Sequence, residues 1–516
     1  MPNPLQTCAG RVYVVGAGPG DPGLLTLRGA ECLSRADVVL YDYLVNPRIL
    51  EHTPQTARLI CLGRHGRGRL VPQATIHQMM IDEARQGHTV VRLKGGDPAI
   101  FAHLADEADA LSAAGVPIEV VPGITAMLAA GSHAGIPLTD RSQASAVALV
   151  TARQQDGEAA SDLDVAALAR FPGTLVFYMG VTVAEQWTAA LIAAGKPATT
   201  PVAIVRRCTW PDQTTIRCTL GEVAGQMAAR KLRPPAIVVV GEVAGAAHTA
   251  IDWFVERPLH GKRVLVTRPV GQASQAVGRL HELGADVLVQ PAIEILPPDD
   301  WSPVDAALER LDKYDWLVFS SANGVRMLLD RLAQIADLRK LGSTKLATIG
   351  PGTTEALAGY RLRADLQPTD AYRAEALAEA LAADAHGKRF LLVRASRGRE
   401  VLADDLRARG GQVDQVVAYR SVDVEQPQPE IAEALAAGKI DFVTVTSSAI
   451  ARSLAAMFGA DLAQTQLASI SPITSRTLRE LGFDPSCEAR SYTVNGLIES
   501  MLALAESASS AKTPDR

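Results

Sequence analysis

The stretch Val12–Gly23, VYVVGAGPGDPG, decides how this chain is read. An apolar run ends at Gly16, and the chain then turns through Gly18, Pro19, Gly20, Asp21 and Pro22. This is how a buried parallel strand stops with its backbone open to a ligand. LKGGDP (Leu93–Pro98) and VPGIT (Val121–Thr125) end in the same way. Gly16-x-Gly18, with Asp42 further on, superficially matches a dinucleotide fingerprint. Two details oppose that match. Pro19 and Pro22 stand where a Rossmann helix would begin, so amides that would cradle a pyrophosphate are missing or displaced. Asp21 would also set a carboxylate beside the phosphates.

A proline-stiffened turn without a basic residue suits a ligand that lacks phosphate. S-adenosylmethionine, a sulfonium cation with an adenosine and an amino-acid tail, is such a ligand. Gly95-Gly96-Asp97-Pro98 offers backbone acceptors and one carboxylate, which can bond a ribose or amino group and favours positive charge nearby. Pro122–Ala126 would add a second wall bearing the Thr125 hydroxyl.

Working outward, 516 residues suggest about three or four compact units at roughly 150 residues each. The chain is 47% apolar and only 4% aromatic, so its core is expected to be aliphatic. A net charge of −5, with no aromatic-interleaved basic patch, argues against nucleic acid. No apolar run is long enough to span a bilayer, and Met1–Arg11 lacks the apolar core of a signal peptide. The six cysteines are scattered without a C-x-x-C pair, as expected of reduced thiols in a cytoplasmic protein, and neither Cys nor His clusters at metal-ligand spacing.

Strand-like runs alternate with Ala/Leu-rich helical stretches, which predicts an α/β fold with mainly parallel sheets. A boundary is expected between Gly241 and His260, after which the second half repeats itself. GKRVLVTR (Gly261–Arg268) matches GKRFLLVR (Gly387–Arg394), DWLVFSS (Asp315–Ser321) matches DFVTVTS (Asp441–Ser447), and KLATIGP (Lys345–Pro351) matches QLASISP (Gln466–Pro472). Three blocks recurring in one order predict two similar lobes with a ligand cleft between them.

The segments Val14–Gly29, VLYDYLV (Val39–Val45), VRLKGGDP (Val91–Pro98), VVPGITA (Val120–Ala126), GIPLT (Gly135–Thr139) and TLVFYMG (Thr174–Gly180) resemble uroporphyrinogen-III C-methyltransferases over about residues 10–245. The resemblance implies a two-lobed, homodimeric tetrapyrrole methylase. It would transfer two methyl groups from S-adenosylmethionine to uroporphyrinogen III, giving precorrin-2 on the siroheme and cobalamin branch. It assigns cofactor contacts to Pro19, Gly95, Gly96, Asp97, Ile100, Thr125, Ala126 and Met179, with Cys208 as a further neighbour. Asp42 falls at the proton acceptor. Methylating a ring carbon requires proton loss, so a carboxylate there makes chemical sense.

Several departures bear on the substrate. Arg64 stands where the family has a lysine proton donor; arginine does not give up a proton at useful pH, so Arg64 reads as an anchor for a substrate carboxylate. FAHLADE (Phe101–Glu107) replaces a Gly/Arg-rich segment, which leaves a methylase of another corrinoid precursor as the alternative. Arg67, Arg69 and Arg141 are further candidates to meet the polycarboxylate substrate.

RVLVTRP (Arg263–Pro269), VFSSANGV (Val318–Val325), ATIGPGT (Ala347–Thr353), VAYR (Val417–Arg420), TVTSS (Thr444–Ser448) and SYTVNGL (Ser491–Leu497) resemble uroporphyrinogen-III synthases over about 261–503. This implies closure of linear hydroxymethylbilane with loss of water and inversion of ring D. It also implies one lobe from 261–296 plus 421–503 and another from 297–420. A linker over 246–260 and a disordered tail over 504–516 complete the expected layout. No triad or nucleophile elbow occurs in this half. The candidates are hydroxyls, glycines, an amide and cations at strand ends facing the expected cleft: Thr267, Arg268, Ser320, Ser321, Asn323, Gly350, Thr353, Arg394, Arg397, Ser447, Ser448 and Thr474. Tyr419 falls at the tyrosine suggested to assist departure of the hydroxyl. Such a site would act by holding a flexible polyacid near its cyclising geometry.

Overall fold

A computed structural model describes residues 10–63, 71–152, 163–245, 252–369, 372–397 and 400–510. The fold is α/β, and its residues fall into two compact units that divide between Gly261 and Lys262.

The first unit holds two five-stranded sheets. One comprises β1 (Arg11–Gly16), β2 (Val38–Tyr41), β3 (Arg58–Cys61), β4 (Thr89–Lys94) and β5 (Ile118–Val121), in the order β3-β2-β4-β1-β5 and wholly parallel. Val12, Val14, Val15, Val90, Val91 and Leu93 are fully buried, as β-branched and aliphatic runs are when helices cover both faces. The chain leaves β1 for β2 on one side and later returns to β5 on the other. The carboxyl ends of β4, β1 and β5 therefore meet at the kind of switch point where open α/β sheets bind ligands.

The other sheet contains β6 (Val147–Thr151), β7 (Thr174–Tyr178), β8 (Pro201–Arg206), β9 (Thr214–Thr219) and β10 (Ala236–Val240), ordered β6-β7-β10-β8-β9. It is mixed, with only β6–β7 parallel. The seven residues between β8 and β9 are too few for a parallel crossover, so these strands form a hairpin. Composition alone did not reveal that.

The second unit is built on β11 (Arg263–Val266), β12 (Asp286–Val289), β13 (Ile293–Leu296), β14 (Trp316–Phe319), β15 (Lys345–Thr348), β16 (Arg389–Ala395), β17 (Gln412–Asp423), β18 (Phe442–Val445), β19 (Gln466–Ser469) and β20 (Cys487–Glu488). Its sheets run β12-β11-β18-β19-β20 and β13-β17-β16-β14-β15. The internal repeat is structural: β11, β18 and β19 occupy in one sheet the places that β16, β14 and β15 occupy in the other. Even the entrance to each repeat is copied. Asp441 accepts from the Arg263 amide at 2.8 Å and from Lys262 at 3.1 Å. Asp315 accepts from the Arg389 amide at 2.9 Å and from Lys388 at 2.8 Å. The sheets part near residue 290 rather than 296, because Ile293–Leu296 pairs antiparallel with the far end of the long strand β17.

Candidate functional site

At the carboxyl ends of β1 and β4, Gly18 and Gly96 exchange two backbone hydrogen bonds, 3.1 and 2.8 Å, which lock the two turns together. Gly96 has φ +72, a conformation favoured by glycine. A Cβ on Gly123 would lie 2.3 Å from the Gly96 carbonyl oxygen, so three strand ends can converge only because this position is bare. Asp97 fixes the same junction: its carboxylate accepts from the Gly123 amide at 2.9 Å and the Ala99 amide at 2.7 Å. Asp21, expected to repel phosphates, caps its own turn by accepting from the Gly23 amide at 2.8 Å.

Beside these turns lies a cavity of about 440 Å³, within the roughly 300–1,000 Å³ range of small-molecule sites. Pro19, Asp42, Gly95, Gly96, Asp97, Ile100, Thr125, Ala126, Met179 and Cys208 all line it. Sequence reasoning missed other parts of its wall, notably Tyr178, Arg207, Trp210 and the pair Arg92 and Lys94. Phe101, His103, Met179 and Arg207, all in the wall, adopt left-handed backbone conformations with φ between +48 and +56. Such conformations cost of order 1–3 kcal/mol each and gather where a site needs them.

The hydroxyl of Tyr178 joins Thr125 Oγ1 at 2.7 Å and accepts from the Met127 amide at 3.0 Å, pinning the entry to the helix Ala126–His133. Burial pushes the Tyr178 phenol up, and drives the Cys208 thiol up to about 12, so Cys208 is an inert wall residue.

A buried charge network underlies one side. Arg92 and Lys94 point to the same face of β4, two residues apart. Arg92 reaches Asp42 Oδ1 at 2.6 Å and Glu107 Oε1 at 3.1 Å, and Lys94 Nζ reaches that same Glu107 oxygen at 2.6 Å. Glu107 is fully buried, Arg92 and Lys94 are each 2% exposed, and Glu107 Oε2 has no partner. Burial, and then repulsion from Arg92, lower the Lys94 pKa, while Glu107 pulls it back up. The network leaves Asp42 held from behind with its carboxylate at the cavity wall.

The cavity fits S-adenosylmethionine in its chemistry. Carboxylates stand at Asp42 and Asp97, and apolar walls come from Ile100, Phe101, Val181 and Ile237. Of the cations present, Arg92 and Lys94 are committed to carboxylates, and Arg207 pairs with Asp212 at 2.7 Å while stacking on Trp210. None of these is the amide cradle that a pyrophosphate needs. Arg141 is exposed and does not line the cavity, and Arg64, Arg67 and Arg69 lie outside the described residues.

In the second unit a cavity of about 380 Å³ opens between the sheets, lined in part by Gln272, Pro291, Glu294, Asn323, Arg326 and Met327. Half-buried Arg268 donates to Gln272 at 3.2 Å, and Gln272 donates to Asn323 at 2.5 Å. Burial, then repulsion from Arg326, lowers the Arg268 pKa. Neither arginine forms an ion pair among the described residues. Two helices, Val270–Glu282 and Ala322–Ile335, begin at this cavity.

The expected hydroxyls divide. Ser321 caps the second of those helices through the Gly324 amide, 3.1 Å, and meets Tyr419 Oη at 2.8 Å. Ser447 caps its counterpart through the Ile450 amide at 3.2 Å, while Ser448 accepts from Thr477 at 2.8 Å. Ser320 donates to the Val393 carbonyl at 3.2 Å. Thr267 is fully buried and spends its hydroxyl on the Thr444 carbonyl, and Thr353 is 5% exposed, so both sit inside the fold rather than on the cleft. Arg394 is bound to Glu400 and Gln415. Tyr419 is 6% exposed, its ring packed in the lobe core and its phenol pushed up by burial.

The family model for tetrapyrrole (corrin/porphyrin) methylases matches residues 11–224, and that for uroporphyrinogen-III synthase HemD matches residues 274–499. The porphyrin biosynthesis protein HemD of Ruminiclostridium josui is 33% identical over 441 residues, which is 85% of this chain and 87% of that one. Uroporphyrinogen-III C-methyltransferase of Bacillus subtilis strain 168 is 36% identical over 349 residues, 67% of this chain and 71% of that one. A crystal structure of uroporphyrin-III C-methyltransferase from Thermus thermophilus, complexed with S-adenosylhomocysteine, is 39% identical, covers 46% of this chain and 99% of its own, and superposes with a TM-score of 0.40. The chain thus belongs with the HemD-type porphyrin-biosynthesis proteins, and in it a tetrapyrrole-methylase region and a uroporphyrinogen-III-synthase region share one polypeptide.

Proposed function

We propose that the chain carries out two successive steps of tetrapyrrole synthesis. The second unit closes hydroxymethylbilane to uroporphyrinogen III with loss of water and inversion of ring D. The first unit methylates that product twice to precorrin-2, on the siroheme and cobalamin branch, acting as a homodimer. The observation that carries the reading is the convergence of Asp42 and the nine expected cofactor residues on one cavity without a phosphate cradle.

S-adenosylmethionine supplies an electrophilic methyl group when bound. Gly95, Gly96, Asp97 and Thr125 orient the donor, and Met179 and Ile100 exclude water from the reacting atoms. Forming the new carbon–carbon bond obliges the ring to lose a proton, and Asp42 takes it. Arg92 holds that carboxylate in place and offsets its charge. Arg64 and Arg141 meet peripheral carboxylates of the substrate.

In the second unit the chemistry is positional. Arg268, together with Ser320 and Ser447, grips a polycarboxylate between the sheets, bringing its ends together in the geometry that inverts the last ring. Tyr419 fixes Ser321 at the edge of that cleft. Thr267, Arg394 and Ser448 hold the cleft walls from behind through the bonds described above, and Thr353 packs behind them.

The test is product mass. Purified protein given hydroxymethylbilane and S-adenosylmethionine yields a dimethylated uroporphyrinogen on this reading; unmethylated uroporphyrin alone would show the first unit to be misassigned.

A further inference from the structure

The residues that follow the last strand of the first unit are not spacer. Phe254 and Leu259 are fully buried. The Phe254 ring sits between two imidazoles, 4.9 Å from His133 and 5.7 Å from His260, with the Arg257 guanidinium 3.8 Å over its face. The Trp253 ring meets His133 at 5.0 Å, tilted by 53°, and its indole N–H donates to the Ser132 carbonyl at 3.1 Å. The segment is tied at its far end too, where the Gly261 amide donates to the Pro211 carbonyl at 3.0 Å.

From there a chain of bonds runs to the cavity. The His133 carbonyl accepts from Gln213 Nε2 at 2.8 Å, and Gln213 Oε1 accepts from the Thr209 amide at 2.8 Å. Thr209 Oγ1 accepts from the Asp21 amide at 2.9 Å, across to the proline-bent turn. Gln213 and Thr209 are 2% and 4% exposed, so neither has water as an alternative partner. Thr209 also holds φ +68, a conformation a β-branched residue keeps only when its surroundings impose it. Trp210, next in sequence, lies against Gly20 so closely that a Cβ there would meet its indole at 2.1 Å. Cys208 and Trp210 are cavity wall.

We propose that Phe254 is a positioning residue for the methyl-donor site: the segment 252–261 straps the loop 207–213, and through Thr209 the turn at Asp21, into binding geometry. The proposal rests on reading this cavity as the S-adenosylmethionine site. A methylase unit cut at residue 245 would therefore keep every wall residue and lose the element that holds one wall in place.

Calorimetric titration of the full chain with S-adenosylhomocysteine tests this. F254A is expected to weaken binding at least tenfold, F254L to restore most of it, and cyclisation of hydroxymethylbilane by the second unit to stay within twofold of wild type. T209V is expected to weaken binding three- to tenfold. The double variant F254A/T209V should bind no more weakly than F254A, because both changes act on one chain of contacts. Undiminished affinity in F254A, or additive losses in the double variant, overturns the proposal. If F254A does not fold, T209V decides alone, and undiminished affinity there overturns the proposal. Failure of the wild type to bind would instead sink the reading of the cavity.

Discussion

Arg92 holds Asp42 by a 2.6 Å contact while its other edge is bound to Glu107, so the cavity's carboxylate is oriented by a cation that is itself fixed from beneath. This arrangement separates two roles. Asn at position 42 keeps the shape and loses the base: D42N is expected to bind S-adenosylhomocysteine within threefold of wild type while methylation falls roughly 10²–10⁴-fold. Activity above a tenth of wild type would remove Asp42 from the proton transfer.

Glu107 carries the opposite consequence. Replacing it with Gln leaves Arg92 and Lys94 buried without their shared counter-charge, which should cost about 3–5 kcal/mol in urea unfolding of the first unit. A loss under about 1 kcal/mol would mean that water already compensates the two cations.

Acid should loosen the first unit. Burial lowers the pKa of both His133 and His260. The unfolded chain then takes up protons first as pH falls through about 6.5, and stability declines from there toward the lower folded values, by at most about 1.4 kcal/mol per pH unit for each imidazole. His133 faces Asp21 and Arg257, and His260 faces Arg257, Asp212 and Asp252, so these charges set the size of the effect. H260Q should flatten the slope of melting temperature against pH between 7 and 5. An unchanged slope would contradict the assignment.

The second unit should respond to polyanions. Arg326 lines the cavity between the sheets and repels Arg268, which sits behind the lining residue Gln272, so a carboxylate bound beside them relieves that repulsion. Uroporphyrin is expected to raise the melting temperature of this unit, and R268M should abolish the rise. A shift that survives R268M would place the ligand elsewhere.

Tyr419 separates two accounts of cyclisation. Its 6% exposure and its bond to Ser321 make it an anchor, so Y419F should slow the reaction less than tenfold. A loss of roughly 10²–10⁴-fold would instead mark the phenol as a general acid.

What the sequence revealed followed from what strand ends require. Gly16 and Gly123 were legible because a Cβ on either would strike the neighbouring strand end, Gly96 because its turn takes φ +72, and the residues beside them fell into one cavity. The doubled lobes of the second unit were legible because the repeated blocks are themselves core strands, β11 with β16 and β14 with β18. Arg92 and Lys94 went unread inside VRLK. Two cations spaced to share one face of an otherwise aliphatic strand imply a buried acid, but Glu107, their partner, lies 13 residues beyond Lys94 on a helix. Phe254 was hidden by its setting, since a short aromatic pair after AGAAH reads as spacer until the surface it covers is known. Thr267 misled because a hydroxyl at a strand end looks the same whether it faces a cleft or a neighbouring strand.

The central claim is that the turns at 18–22 and 95–98 enclose a sulfonium donor rather than a nucleotide diphosphate. Isothermal titration of the full chain with S-adenosylhomocysteine and, separately, with NAD tests it most directly, using G96V to bar the left-handed turn at φ +72. The account predicts that S-adenosylhomocysteine binds, that G96V abolishes this binding, and that NAD gives no heat. Binding of NAD without S-adenosylhomocysteine would contradict it.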